Sequence, residues 1–458
     1  MTKQILVPFE GEGSGVGDLT WGQLDIWAAM QRESSSLSFG GAFPLPAGTT
    51  VDDVTADLRF LMCRHASLRT RLRLEDGRLQ QLAAASGEIA LEVTDPGGAD
   101  PGEVAAGLFA RYSEKVFDHF REWPILWSVV ARGHDATHLV TVISHLATDG
   151  MGAMAMLTDL ARRDPVTGHA PPVTAAQPLE LAAQETTPAA RRQSAAALAY
   201  WERTLRAIPA QKWTPPAAGP RSPRYWQATY DSPAALRAAQ VLAARTRATT
   251  STVLLAAWAV TLTRVTGSHP AVIQVVVNNR FRRGLAEVVS PLCISIPCVI
   301  DADGPFEQIV ARSWRAAINA YKLSYYSPPD REELVARIEH ERGEPLDLGC
   351  FVNDRRLTVS HEPGDGPLLA PADILAALPR STLTWGIQQD LPRERCFLHV
   401  NDVAGSLRVE LWADTQYVSP GNMEACLRGL ETVLIDAAVD PAADTGADTG
   451  ADTGVRVP

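Results

Sequence analysis

The stretch LVTVISHLATDGMGAMAML, residues 139–157, decides how this sequence folds. It opens as a strand, because residues 139–143 are apolar and rich in β-branched side chains. It closes as a helix of Ala, Met and Leu that starts near Met151. Between them lies the turn Ser144-His145-Leu146-Ala147-Thr148-Asp149-Gly150. A buried strand of this kind delivers His145 to the edge of a core. Asp149 stands where a carboxylate caps the following helix. Gly150 is expected to supply a backbone conformation that other residues resist. A His and an Asp four residues apart on a tight turn can share one cavity, and histidine is the commonest proton-handling side chain at neutral pH. Taken alone, HxxxDG is short, and a histidine after a strand also serves as a satisfied structural residue. The rest of the chain has to decide between the two.

The 458 residues carry a net charge of −11 and are 46% hydrophobic, enough for two domains with ordinary cores. The acidic balance argues against nonspecific nucleic-acid binding. The opening MTKQILVPFE has no secretory-signal pattern, and the longest mainly apolar run, residues 253–262, is too short to span a bilayer. A cytoplasmic protein is expected, with no membrane partner. Cys63, Cys293, Cys298, Cys350, Cys396 and Cys426 are scattered without CxxC spacing. Neither a metal site nor a disulfide framework is expected, and buried structural thiols are favoured over a cysteine nucleophile.

Working outward, residues 10–17 are Gly-rich and read as a loop. Residues 21–30 read as a helix, with Thr20 and Gln23 at capping-box spacing. Residues 51–63 form a second amphipathic helix, and residues 67–82 a pair of strands turning at Asp76-Gly77. Residues 126–131 and 138–143 read as strands that bring the chain to His145. Residues 161–192 shift to Pro, Ala, Thr and Gln, and their prolines forbid one continuous helix. The second half repeats the α/β character, with helices at 233–248, 251–264, 305–321 and 422–438 and strands at 271–277, 293–300, 397–403 and 407–413. ADTG recurs three times in residues 443–454, which have nothing apolar to bury and are expected to be disordered.

Several of these stretches together resemble the condensation-domain superfamily of nonribosomal peptide synthetases, which is related to chloramphenicol acetyltransferase. Thr20-Trp21-Gly22-Gln23-Leu24-Asp25-Ile26-Trp27 resembles its first motif, and Arg64-His65-Ala66-Ser67-Leu68-Arg69-Thr70 its second. Phe117-Asp118 followed by Pro124-Ile125-Leu126 resembles the segment before the catalytic strand, and residues 144–150 fall where HHxxxDG belongs. Tyr200-Trp201 with Leu205, then Asn279-Arg280 with residues 290–297, are similar to later motifs. The resemblance covers nearly the whole chain to about residue 440. It departs at Ser144, where the family has a first histidine, and at Ile294-Ser295, where Asn-Thr is usual.

The resemblance implies an α/β fold of two chloramphenicol-acetyltransferase-like lobes in a V-shaped pseudo-dimer. The division expected is an N-terminal lobe at 1–162, a linker at 163–195, a C-terminal lobe with a latch at 196–440, and the tail at 441–458. It also implies condensation of an aminoacyl or acyl thioester with an amine or, less readily, an alcohol, in specialised-metabolite biosynthesis. The donor would ride on the phosphopantetheine of a separate carrier protein, since no carrier segment is recognisable in the sequence, and no cofactor of the chain's own is implied. The site would comprise His145, Asp149 and Gly150, with His145 in the family's catalytic position and Ser144 a mild departure. Asp149 would pair with Arg280, or failing that Arg69. Trp385 is either a latch or acceptor-side wall or part of a core strand, and Arg282 with Arg283 is the candidate carrier contact. Two other outcomes stay open: a non-catalytic recruitment module of the same fold, and a coenzyme-A-dependent or ester-forming acyltransferase.

Overall fold

The computed structural model describes residues 2–164, 166–210, 213, 215–216, 219–356 and 370–439. The ADTG tail, and with it the expectation of disorder, lies outside them. The chain divides into two compact units. The first comprises Met1–Leu198, Val277–Ile294 and Ser324–Glu333; the second comprises Ala199–Val276, Ser295–Leu323 and the chain from Leu334 onward. The sequence reading assigns everything from 196 to 440 to one lobe, but two stretches of it pack within the first unit.

The first unit is built on a five-stranded sheet in the order Thr2–Glu10, Ser86–Thr94, Ile125–Arg132, Asp135–Ile143, Phe39–Pro44. Only Ser86–Thr94 and Ile125–Arg132 run parallel. The strand Asp135–Ile143 lies between two neighbours and alternates its side chains as the pleat requires. Val140 and Val142 enter a cluster with Ala105, Leu108 and Tyr112 of the helix Pro101–Ser113. Ile143 and Leu139 enter the larger core with Leu58, Leu61 and Met62 of the helix Val51–Arg64 and Met156 of the helix Gly150–Ala161. Both faces of this strand are therefore covered, and its last residue ends inside the core. A smaller sheet, Gly15–Asp18, Arg78–Ala83 and Thr70–Glu75, completes the unit. Residues 15–17, expected to be loop, pair together with Asp18 as an edge strand with Arg78–Ala83.

The prolines of the expected linker start helices instead of only breaking chain. Pro178 opens Pro178–Glu185 and Pro188 opens Pro188–Ala207, positions at which a missing N–H costs nothing. Glu185 is buried and accepts the Trp21 N–H at 2.8 Å and the Tyr325 hydroxyl. These bonds join the helices Pro178–Glu185 and Trp21–Glu33 to the stretch 324–333.

The second unit has a seven-stranded sheet in the order Ile294–Ile300, Ala271–Val277, Cys350–Asp354, Cys396–Val403, Ser406–Asp414, Tyr225–Ser232, Thr382–Gln389. The helices Pro233–Thr246, Thr250–Thr266 and Pro420–Val439 belong to it and are lined with buried Ala, Val and Leu. Among the described residues, no helix is long and apolar enough to cross a membrane.

Candidate active site

The chain leaves the strand Asp135–Ile143 and turns at once. The Ser144 N–H donates to the Pro124 carbonyl at 2.8 Å, and the His145 N–H to the Ser36 carbonyl at 3.3 Å. Asp149 ends the turn in extended conformation, and its side chain accepts the Gly152 N–H at 2.8 Å, the N-cap expected of it.

Asp149 does more than cap. Its carboxylate also accepts Arg280 Nη1 at 2.8 Å and the Leu292 N–H at 2.9 Å. The side chains are 1% and 6% exposed, so water does not screen the pair. Arg280 Nη2 donates to the Val288 and Ser290 carbonyls at 3.0 and 3.1 Å. Burial alone would raise the Asp149 pKa, but the Arg280 charge and three N–H donors hold the carboxyl below its ordinary range. A carboxylate so neutralised is a poor proton acceptor, and its position makes it the clasp between residues 149 and 280–292.

Two further residues make the clasp possible: Gly152, which sequence reasoning missed, and Asn279, which it quoted only as part of a family motif. A Cβ on Gly152 would lie 2.1 Å from Thr148 Oγ1 and 2.8 Å from Arg280 Nη2, so only glycine admits the guanidinium. Asn279 sits at φ +57° and is buried. Its Nδ2 donates to the carbonyls of Val277, Leu292 and Ser324 at 3.2, 2.9 and 3.2 Å, while its Oδ1 accepts from Ser324 Oγ and Arg282 Nε. The sequence signals for this are an Asn directly after a strand and its place beside Arg280 in a family motif; the long-range partners are invisible in it. Gly150 differs from expectation in the other direction. It has no positive φ, forms the first residue of the helix, and a Cβ there would meet nothing within 4 Å. What Gly150 contributes is open space at the helix N-terminus.

His145 stands between these fixed points and is half-buried. Its ring meets Phe39 edge-on, with centroids 5.5 Å apart. Nδ1 is buried without a hydrogen-bond partner. Burial pushes the imidazole pKa below its ordinary value, with the Asp149 charge partly opposing, so the ring is neutral at neutral pH. Ser144 is fully buried, and its Oγ lies 2.7 Å from His119 Nε2 and 3.3 Å from the Leu146 N–H it accepts.

The other candidates separate. Arg69 does not reach Asp149: it is 1% exposed, and its guanidinium is held by the carbonyls of Ala84 and Glu12. Arg282 is not the solvated charge expected of a carrier contact. Its Nε donates to Asn279 Oδ1 at 3.0 Å and its guanidinium lies 5.6 Å from the Tyr325 ring centroid. Arg283 is exposed. Trp385 lies in the edge strand Thr382–Gln389 of the second unit, 37% exposed and edge-on to Trp226 at 5.6 Å, so it is not in a core strand. Cys293 lies next to the clasp, but burial and the Asp149 charge push its thiol pKa well up. It stays protonated, which removes it as a nucleophile.

The Condensation domain model matches residues 20–346, and the chain belongs to that family; condensation domains in general are acyl-transferring enzymes. The fold is similar to the condensation domain that mediates chain release from the enacyloxin polyketide synthase, at 21% identity and a TM-score of 0.71, covering 94% of this chain and 85% of that one. It is similar to SgcC5 of Streptomyces globisporus, at 18% identity and 0.68, covering 92% and 98%. It is similar to the X-domain from teicoplanin biosynthesis, at 20% identity and 0.69, covering 93% and 97%. No curated protein matches the sequence.

Proposed function

We propose that this protein joins an aminoacyl or acyl thioester, carried on the phosphopantetheine of a separate carrier protein, to a small amine in specialised-metabolite biosynthesis. The observation that carries this reading is His145: a half-buried imidazole, held neutral by burial, on a turn fixed at one end by sheet pairing and at the other by the Asp149–Arg280 clasp. The amine nitrogen attacks the thioester carbonyl, the C–N bond forms, the C–S bond breaks, and the pantetheine thiol leaves. The attacking nitrogen sheds one proton, and the thiolate takes one. A neutral imidazole can accept the first and return it. A neutral amine needs little help from a base, so orientation by His145 supplies much of the rate. The N-terminus of the helix Gly150–Ala161 favours the negative charge that develops on the carbonyl oxygen. Arg283 is the exposed cation we assign to contact with an acidic carrier.

A hydroxyl acceptor is the second reading, because the similar SgcC5 was solved with a naphthyl ethanediol. Ester formation asks more of His145 as a base. A recruitment role is the third, because the X-domain was solved in complex with OxyB. The experiment is turnover of a loaded carrier with panels of amines and alcohols. His145→Ala should lose most turnover while keeping its melting temperature. Wild-type rates in that variant would remove the catalytic reading, and equal use of coenzyme A thioesters would remove the carrier.

A further inference from the structure

The motif's first position carries Ser144 where the family has a histidine, and an imidazole lies against the serine hydroxyl. It comes from His119, which is buried and reaches Ser144 Oγ through Nε2 at 2.7 Å. His119 also packs edge-on to Trp27, centroids 6.1 Å apart, and its own carbonyl accepts the Leu72 N–H at 2.7 Å. Its backbone and ring are therefore fixed. The Ser144 hydroxyl accepts the Leu146 N–H at 3.3 Å, and the Ser36 carbonyl, 3.5 Å from Ser144 Oγ, accepts the His145 N–H at 3.3 Å. Ser36 Oγ in turn accepts the Phe117 N–H at 2.7 Å, two residues from His119. Residues on both sides of His145 are thus hydrogen-bonded to one buried network running through 36, 117, 119 and 144.

From this we propose that His119 and Ser144 are positioning residues that act as a unit and aim the His145 ring. His119 supplies a third polar partner to a serine hydroxyl that also meets the Leu146 N–H and the Ser36 carbonyl. The inference rests on the reading that His145 performs the chemistry, but it concerns the orientation of His145 and is tested by observing that ring directly.

The test uses the full chain labelled with 13C at histidine Cε1. The His145 signal is assigned by its loss in His145→Ala. His119→Phe and Ser144→Ala should each shift the His145 signal and change its titration midpoint. Each should lower kcat by about 10–100-fold with KM unchanged, as expected when a reacting group is displaced by a fraction of an ångström to 1 Å. His119→Gln, which keeps a polar atom near Nε2, should recover most of both and serves if His119→Phe does not fold. The exchanged pair His119→Ser with Ser144→His should recover more than either single change. A His145 signal and midpoint unaltered in folded His119→Phe or Ser144→Ala would overturn the proposal, whatever the turnover. A shifted signal with turnover retained in His145→Ala would uphold the positioning and overturn the catalytic reading instead.

Discussion

Breaking the Asp149–Arg280 clasp should destabilise the first unit more than any other single change at this site. Asp149→Ala removes an N-cap, worth about 1 kcal/mol, and leaves a guanidinium buried without its counter-charge, worth about 3–5 kcal/mol. The two overlap because one carboxylate does both, so the loss should be about 4 kcal/mol. The exposures of 1% and 6% leave no route for water to compensate. Arg280→Met should cost about 3 kcal/mol, since Asp149 keeps the Gly152 and Leu292 N–H groups. The double variant removes both charges, so its loss should fall short of the sum by about 2–3 kcal/mol. Urea unfolding measures the totals, and hydrogen exchange over residues 277–294 shows where protection is lost. Additive losses in the double variant, or unchanged exchange of 277–294 in the single ones, would refute the clasp. The Asp149 pKa is depressed in the fold, so the pair contributes its stability above the unfolded carboxylate value and loses it as pH falls through the folded one. Asp149→Asn should abolish that acid-side loss.

The two glycines should respond oppositely: Gly152→Ala should destabilise by about 1–3 kcal/mol, while Gly150→Ala should leave the melting temperature unchanged or raised. The rate that the proposed function assigns to His145 should fall on the acid side with a midpoint below 6.5, read from kcat against pH. Burial pushes the Glu185 carboxyl up to about 8, so its stabilising contribution is complete below its ordinary value of 4.5 and is lost as pH rises toward 8. Glu185→Gln should flatten the melting temperature across that window. Arg283→Glu should weaken turnover of a loaded carrier while sparing a short pantetheine thioester, and equal loss of both would refute the contact.

The parts of this architecture legible in the sequence are those written over a few residues. The capping box of Thr20 and Gln23, the N-cap of Asp149 and the apolar strand leading to His145 all appear where local pattern puts them. The strands that escaped notice include the sheet edges Thr2–Glu10 and Phe39–Pro44 and the interior strands Ser86–Thr94, Tyr225–Ser232 and Cys350–Asp354. An edge strand is half-exposed and tolerates Pro8, Gly40 and Gly41, so no alternation marks it. The Arg280 partner of Asp149 came from family resemblance, because nothing local links residues 131 positions apart. Arg282 misled for the same reason: a run of arginines reads as a solvated face until Asn279 and Tyr325 are seen beside it. Nothing local marks His119, because its partner, Ser144, is distant in sequence and carries no charge.

The clasp also has a history in time. A ribosome releases Asp149 first and Arg280 131 residues later, an interval of roughly 7–26 s at typical synthesis rates. Until then Asp149 lacks the cation that it meets in the complete fold. Asn279 cannot gather its three carbonyls until Ser324 has emerged as well. The turn bearing His145 is therefore finished late, although it is made early. An amino-terminal half cut at residue 198 would lack Arg280 and Leu292, and with them two of the partners that hold Asp149.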